Sequence, residues 1–383
     1  MIQRYIQIPE EQEEFYQYLN DYIKKTISEE YQNTEHVVSE EIIYKHIQNL
    51  IEFGLIYSPV NKENEYSIWN YYQKNILISI ISLLELGIVN GGLSYITHQY
   101  SLFNYCLSYI KEHYNQSFEF PFWILLQGNY GLARNLLAKY LFSQEDKELY
   151  IQNLKHYFEL PESFILQIPD FFEYFSFFNI NDQNIQKNNL NFNIAKIQSK
   201  KLLNPSHGLE EIKTYEIEYN TIISIPVDIS LYIDLFSKQL LGNLSIATGR
   251  LVYAFQKALK YTNERIQGGK LIYNYPAIQN LLFNADSTIE IALNSLFACN
   301  KLSFDKDLFL KVLRIKKQLM PLILQGVSDC LQTHGGYGYM RDYGLEKAYR
   351  DVNHLKQYLG TSFEISLFLA EVYKHKQSNL QII

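Results

Sequence analysis

Apolar positions along this chain recur at helical spacing, then alternate with polar ones, then return to helical spacing. In the first stretch Phe15, Leu19 and Tyr22 fall three to four residues apart, as do Ile42, Ile43, Ile47, Leu50 and Ile51 before a stop at Gly54. Ile76 to Leu86 is apolar nearly all round, which predicts a buried central helix ending near Gly87. Leu132, Leu136, Leu137, Tyr140 and Leu141 mark a further helix. Ser143-Gln144-Glu145-Asp146 then reads as an N-cap with an acidic first turn, opening a short helix over 147–154. His98 sits among core-like residues and reads as an ordinary, partly buried histidine.

The pattern changes after about residue 158. Pro161 and Pro169 break helices, and the asparagine-rich stretch 179–193 predicts a loop or frayed hairpin. Tyr215, Ile217, Tyr219 and Ile222 alternate with polar residues up to Pro226, as a strand does, and Phe192, Ile194 and Ile197 offer another. From about residue 231 helical spacing returns. Leu240, Leu244, Ala247, Leu251, Phe255 and Ala258 share one face of a helix reaching Arg265. Ile278 to Leu296 marks a second, 305–331 a third, and Ser362 through Ile365, Leu369 and Val372 a fourth. Four amphipathic helices predict a bundle. The expected fold is therefore mainly α with a small β middle domain: an N-terminal helical domain over 1–157, a reduced β-domain over 158–230 and a C-terminal four-helix bundle over 231–383.

Composition narrows the classes of partner. The 383 residues suit two or three domains. With 34 basic against 41 acidic residues, the net charge of −7 argues against nucleic acid as a main partner. The most apolar run, Ile76 to Ile96, is interrupted by Glu85, Gly87, Asn90, Gly91 and Gly92, whereas a membrane span needs about 20 largely uninterrupted apolar residues. No basic region followed by an apolar one opens the chain. Cys106, Cys299 and Cys330 are widely spaced and form no metal-like pair. These features predict a cytoplasmic protein without a disulfide framework.

Chemistry-bearing residues concentrate near the C-terminus. Gln332-Thr333-His334-Gly335-Gly336-Tyr337-Gly338-Tyr339 runs on through Glu346 to Arg350-Asp351, and its glycines suit a turn with positive φ and close backbone approach. Taken alone, Arg265 and Arg350 read as helix-terminal charges satisfying carbonyls or carboxylates. Together with Glu264-Arg265-Ile266-Gln267-Gly268-Gly269-Lys270, however, the segment resembles the acyl-CoA dehydrogenase family: its C-terminal signature and its turn between the first two bundle helices, in the family's order.

That resemblance implies the three-part architecture and assembly as a homodimer or homotetramer. It also implies FAD-dependent α,β-oxidation of an acyl thioester on CoA or a carrier protein, in which a carboxylate takes the α-proton and the β-hydrogen leaves as hydride. The residues matching Arg265, Gln332, Gly335 and Gly336 would reach across an interface to the pyrophosphate and adenosine of a neighbour's FAD, and Thr361 joins them as a cofactor candidate. The base is missing from both of the family's positions. Tyr358-Leu359-Gly360-Thr361 carries Leu359 where a Tyr-Glu-Gly-Thr sequence has its glutamate, and the alternative position holds Gln239, followed by Leu240 where arginine is usual. A glutamine side chain is no carboxylate base. Asp234, Asp228 and Glu364 are the remaining carboxylate candidates, each otherwise expected to be a solvated surface group. The middle segment is shorter than the family's and has no tryptophan after Trp123. A second implied role is therefore a non-catalytic partner subunit that pairs with an active paralogue in a heteromer. A third is different flavin chemistry on the same scaffold.

Overall fold

The computed structural model describes residues 2–5, 7–27, 38–57, 67–72, 76–116, 120–126, 137–138, 141, 154–155, 158–180, 189–203, 207–300 and 305–378. Helix α1 covers Glu10–Tyr22. Helix α2, Glu40–Phe53, begins where the Ser39 side chain accepts from the Ile42 amide and ends at Gly54, whose φ of 87° is the left-handed cap the sequence pattern predicts. Helix α3, Ile76–Val89, is buried from Ile76 through Gly87. Asn90 caps α4, Gly91–Tyr114, accepting from the Leu93 amide at 2.8 Å. Most of the helices expected over 132–141 and 147–154 lie outside the described residues.

Five strands form one sheet in the order β1-β3-β4-β5-β2. They are β1 Trp123–Ile124, β2 Ser163–Ile168, β3 Tyr174–Asn179, β4 Asn189–Leu202 and β5 Lys213–Asp228. The sheet thus takes in Trp123, well upstream of the proline-rich change at 158. Of the loop or frayed hairpin expected over 179–193, the hairpin is what forms at the described ends: Asn179 pairs with Asn191, and 189–193 belongs to β4 and also pairs with 224–228 of β5. Its asparagines are accommodated rather than solvated: Asn193 is buried and its amide donates to the carbonyls of Phe177 and Asn191. Pro226 sits in β5 beyond the 213–218 stretch that pairs with β2, so its missing N–H faces an unpaired edge.

The C-terminal part is built around α5, Ile229–Glu264, buried at nearly every position from Leu231 to Val252. Helices α6 (Pro276–Phe297), α7 (Lys306–Thr333) and α8 (Leu345–Gln357), together with α3 and α4, pack directly against it, and α9 (Ser362–Ser378) packs on α7. Helix α8 is one more than the four expected. Its apolar face, Leu345, Ala348, Val352 and Leu355, is fully buried, but the intervening Glu346, Lys347, Arg350 and Asp351 hide that periodicity in the sequence. Backbone approaches backbone where α3 crosses α5, since a Cβ on Gly249 would overlap the Leu84 carbonyl oxygen.

A buried charge cluster ties these layers together. Lys347 lies 3.0 Å from both Glu211 and Asp351, Arg250 lies 3.7 Å from Asp351, and Asn90 donates to Glu211 at 2.9 Å. Asp351 also accepts from the Leu209 amide at 2.8 Å, and Arg250 donates to the Gly87 carbonyl at 3.1 Å. The four charged side chains are nearly or wholly inaccessible to water, where ionised groups persist only when paired. No helix of the described residues is long and apolar enough to cross a membrane, and all three cysteines are free and buried.

Candidate functional site

Helix α5 ends at Arg265 and the chain turns through a two-residue hairpin, Ile266–Gln267 against Lys270–Leu271. Gly268 and Gly269 occupy its corner with φ of 59° and 80°, the pair of left-handed residues such a tight hairpin needs. Opposite it, α7 ends at Thr333 and continues into a 3-10 turn over Gly335–Tyr339. Of the three glycines in that turn only Gly335 takes a positive φ, 56°. Gly338 is required for close approach instead, because a Cβ there would overlap the Leu331 carbonyl oxygen.

Between these turns lies a groove of about 750 Å³ that brings together Arg265, Gln332, Gly335 and Gly336. Thr361 does not line it. One wall is aromatic: the Tyr261 and His334 rings stack at 4.0 Å, Tyr343 packs edge-on against both, and the Arg265 guanidinium lies 6.0 Å from the Tyr337 ring centre. Burial holds His334 below its ordinary pKa and leaves it neutral near pH 7, so it brings the groove no charge and Arg265 lines it as a permanent cation. A Cβ added at Gly335 or Gly336 would meet nothing within 4 Å. An exposed guanidinium fork beside open glycine backbone and flat rings fits an adenosine and a pyrophosphate. Arg350, by contrast, is an ordinary ion-paired arginine, bonded to Glu346 at 2.6 Å, to Glu210 at 2.8 Å and to the His207 carbonyl at 2.8 Å.

The second region is the turn from α8 to α9. Leu359 is 8% exposed and takes a φ of 58°, and Gly360 follows at 98°. Thr361 caps α9: its amide donates to Glu364 at 2.7 Å and its hydroxyl accepts from the Glu364 amide at 3.3 Å, a reciprocal capping box. Glu364 is thereby engaged. Asp228 is engaged too, accepting from the Ser230 amide at 2.7 Å as the cap of α5. Asp234 is not the solvated carboxylate expected. It is buried and accepts from the Tyr105 hydroxyl of α4, distant in sequence and adjacent in space, and from the Lys238 ammonium one turn on along α5.

Gln239 lies deep in a polar network. It accepts from Gln99 at 2.9 Å and donates to Asn243 at 3.1 Å, and its carbonyl lies 3.4 Å from His98 Nε2. Trp69 Nε1 donates to His98 Nδ1 at 2.8 Å. His98 is thus fully buried rather than partly so, and burial pushes its pKa down to about 3. Beside the turn a smaller cavity, about 350 Å³, is lined by Gln167 of β2, His207, and Asn353, His354, Gln357 and Tyr358 at the end of α8. Among the described residues no cluster of three or more potential metal ligands occurs.

Lys316 belongs to none of the motifs in the sequence. It occupies an apolar-face position of α7, in line with Val312, Leu313, Leu319, Met320 and Ile323, and that misplaced charge is a signal visible in the sequence. Its ammonium donates to the carbonyls of Tyr358 and, at 2.8 Å, Gly360, holding the turn from beneath. Burial pushes its pKa down to about 7, and nearby Glu364 only partly opposes this. The folded chain therefore releases a proton near pH 7 that the unfolded chain keeps to about 10.4. Stability contributed through Lys316 should rise as pH rises from 7 toward 10, since the unfolded state then binds more protons. Urea titrations at several pH values are expected to show that slope in the native chain and a smaller slope in Lys316→Met.

Residues 237–367 match the family described as acyl-CoA dehydrogenase, C-terminal domain. The chain is 33% identical over 123 residues to the 3-(aryl)acrylate reductase of Clostridium sporogenes, covering 32% of this chain and 33% of that protein. It is 32% identical over 123 residues to the caffeyl-CoA reductase-Etf complex subunit CarC of Acetobacterium woodii, covering 32% of each. These matches thus span about a third of the length of the curated relatives. Over the whole chain the architecture is that of the butyryl-CoA dehydrogenase from Megasphaera elsdenii, with a TM-score of 0.69 at 14% identity, covering 95% of this chain and 98% of that one.

Proposed function

We propose that this chain, whose residues 237–367 match the acyl-CoA dehydrogenase C-terminal domain, belongs to that family and acts as an FAD-dependent flavoprotein that oxidises an acyl thioester, on CoA or a carrier protein, between its α- and β-carbons. The observation that carries this reading is the groove in which Arg265, Gln332, Gly335 and Gly336 converge. In it the Arg265 fork would pair with the pyrophosphate, and the amides of Gly335 and Gly336 would approach the same oxygens. The groove faces outward, which suits a neighbouring subunit's cofactor in a homodimer or homotetramer. FAD, once bound in the assembled oligomer, would supply the acceptor for the β-hydride. The chain's own groups shape the thioester pocket: the Lys316-braced turn at 358–360 and the cavity beside it. Three buried free thiols suit a cytoplasmic setting.

One observation favours a second reading. Both family positions for the base hold non-basic residues, and each is packed tightly: Gln239 inside a hydrogen-bonded network and Leu359 against the core. Such packing would suit a non-catalytic subunit that lends its groove to a paralogue's FAD in a heteromer. The two readings separate in the absorbance spectrum and FAD-to-chain ratio of the purified protein. A yellow protein whose flavin bleaches anaerobically with a short acyl thioester is the expected result. Colourless protein that gains one FAD per pair only with a paralogue would establish the second, and failure to take up FAD in either setting would overturn both.

A further inference from the structure

We propose that His354 is the base that takes the substrate's α-proton in this chain, in place of the carboxylate absent at Leu359 and Gln239. The inference rests on the flavoprotein reading above. All three substitute carboxylates are otherwise occupied: Glu364 in the α9 capping box, Asp228 as the cap of α5, and Asp234 by Tyr105 and Lys238. His354 differs from each of them. It stands on the last turn of α8, its ring has no hydrogen-bond partner among the described residues, and it lines the 350 Å³ cavity together with Tyr358, the neighbour of Leu359. The cavity opens between β2 and the end of α8, directly beside the turn where the family places its base. Its volume is at the small end for ligand pockets, enough for the thioester and a short acyl segment.

The surroundings suit a proton acceptor. Burial lowers the His354 pKa from its ordinary value and nearby His207 lowers it further, with Asp351 opposing, so the ring is neutral at pH 7 with one nitrogen free to accept. The other groups around the cavity, Gln167, Asn353, Gln357 and Tyr358, are uncharged near neutral pH, the nearest charged residues along α8 are Lys356 and Asp351, and Arg350 is paired with Glu346 and Glu210. Once the ring is protonated, Asp351 one turn back on α8 supplies the compensating negative charge. In the step itself an imidazole nitrogen takes the α-proton. The C–H electron pair becomes the α,β double bond as the β-hydrogen leaves with its electrons as hydride, for which FAD, when bound, would supply the two-electron acceptor.

The test uses His354→Gln, which keeps the size and hydrogen bonding and removes the base. In FAD-loaded protein the rate of flavin bleaching by butyryl-CoA should fall by about 10²–10⁴-fold at unchanged FAD content. A readout that needs no hydride transfer is deuterium uptake from D₂O at the α-carbon of 3,3-dimethylbutyryl-CoA, which has no β-hydrogen. Wild type should exchange it and His354→Gln should not. Exchange and bleaching at wild-type rates in a His354→Gln protein with full FAD would overturn the role of His354 and leave the flavoprotein reading standing. Wild type that holds no FAD and exchanges nothing would overturn both. If His354→Gln does not fold, His354→Asn is measured in the same two ways.

Discussion

Replacing Asp351 by alanine is expected to lower folding stability by about 3–5 kcal/mol, the cost of removing one partner from a buried charge pair. The carboxylate is 0% exposed and faces Lys347, Arg250 and the Leu209 amide at once. Its loss strands two cations where water does not reach, with Glu211 alone left to balance them. Urea denaturation of the two proteins measures the difference, and a cost below about 1 kcal/mol would show that the cluster does not hold the layers together. The pH dependence has a definite sign. Burial alone would raise the Asp351 pKa, but the charges of Lys347 and Arg250 outweigh it and hold the carboxyl below its ordinary value. Its stabilisation is therefore fully present above the unfolded value of about 3.9 and is lost as pH falls through the lower folded one. Wild type should show that acid-side loss, and Asp351→Ala should lack it.

Arg265→Ala is expected to weaken FAD retention by about 10- to 100-fold, since a hydrogen bond to a charged group contributes about 1.5–3 kcal/mol. Arg265 is exposed at the end of α5 and carries no buried ion pair, so the unfolding midpoint should stay near that of wild type. Arg265→Lys should recover only part of the loss, because an ammonium restores the charge without the planar fork. Flavin titration of the assembled oligomer, homomeric or heteromeric, reads both variants. An unchanged affinity in Arg265→Ala would remove the groove from the FAD site.

Much of this was legible in the chain itself. The stop at Gly54, the helix over 76–89, the strand ending near Pro226 and the long helix reaching Arg265 are consequences of local spacing and local turn chemistry, which neighbouring residues set among themselves. The grouping of Arg265 with Gln332, Gly335 and Gly336 came only through the resemblance of the two turns to the family's, since local spacing does not say which helix ends lie side by side. The additional helix α8 was obscured because its polar positions are filled by charges that look solvated. Whether a charge is solvated is not a local property. Asp351 bonds the amide of Leu209, 142 residues away, and Asp234 bonds Tyr105, 129 residues away. Only such distant contacts decide that Asp351 is a buried tie between layers, that Asp234 is buried against Tyr105, and that the ring of His354 stays open to a cavity. The sequence by itself determined the longer helices and the two strands β4 and β5. The tertiary structure decided which titratable groups remain free to do chemistry, because burial and partnership are set by what packs on a side chain and not by what precedes it.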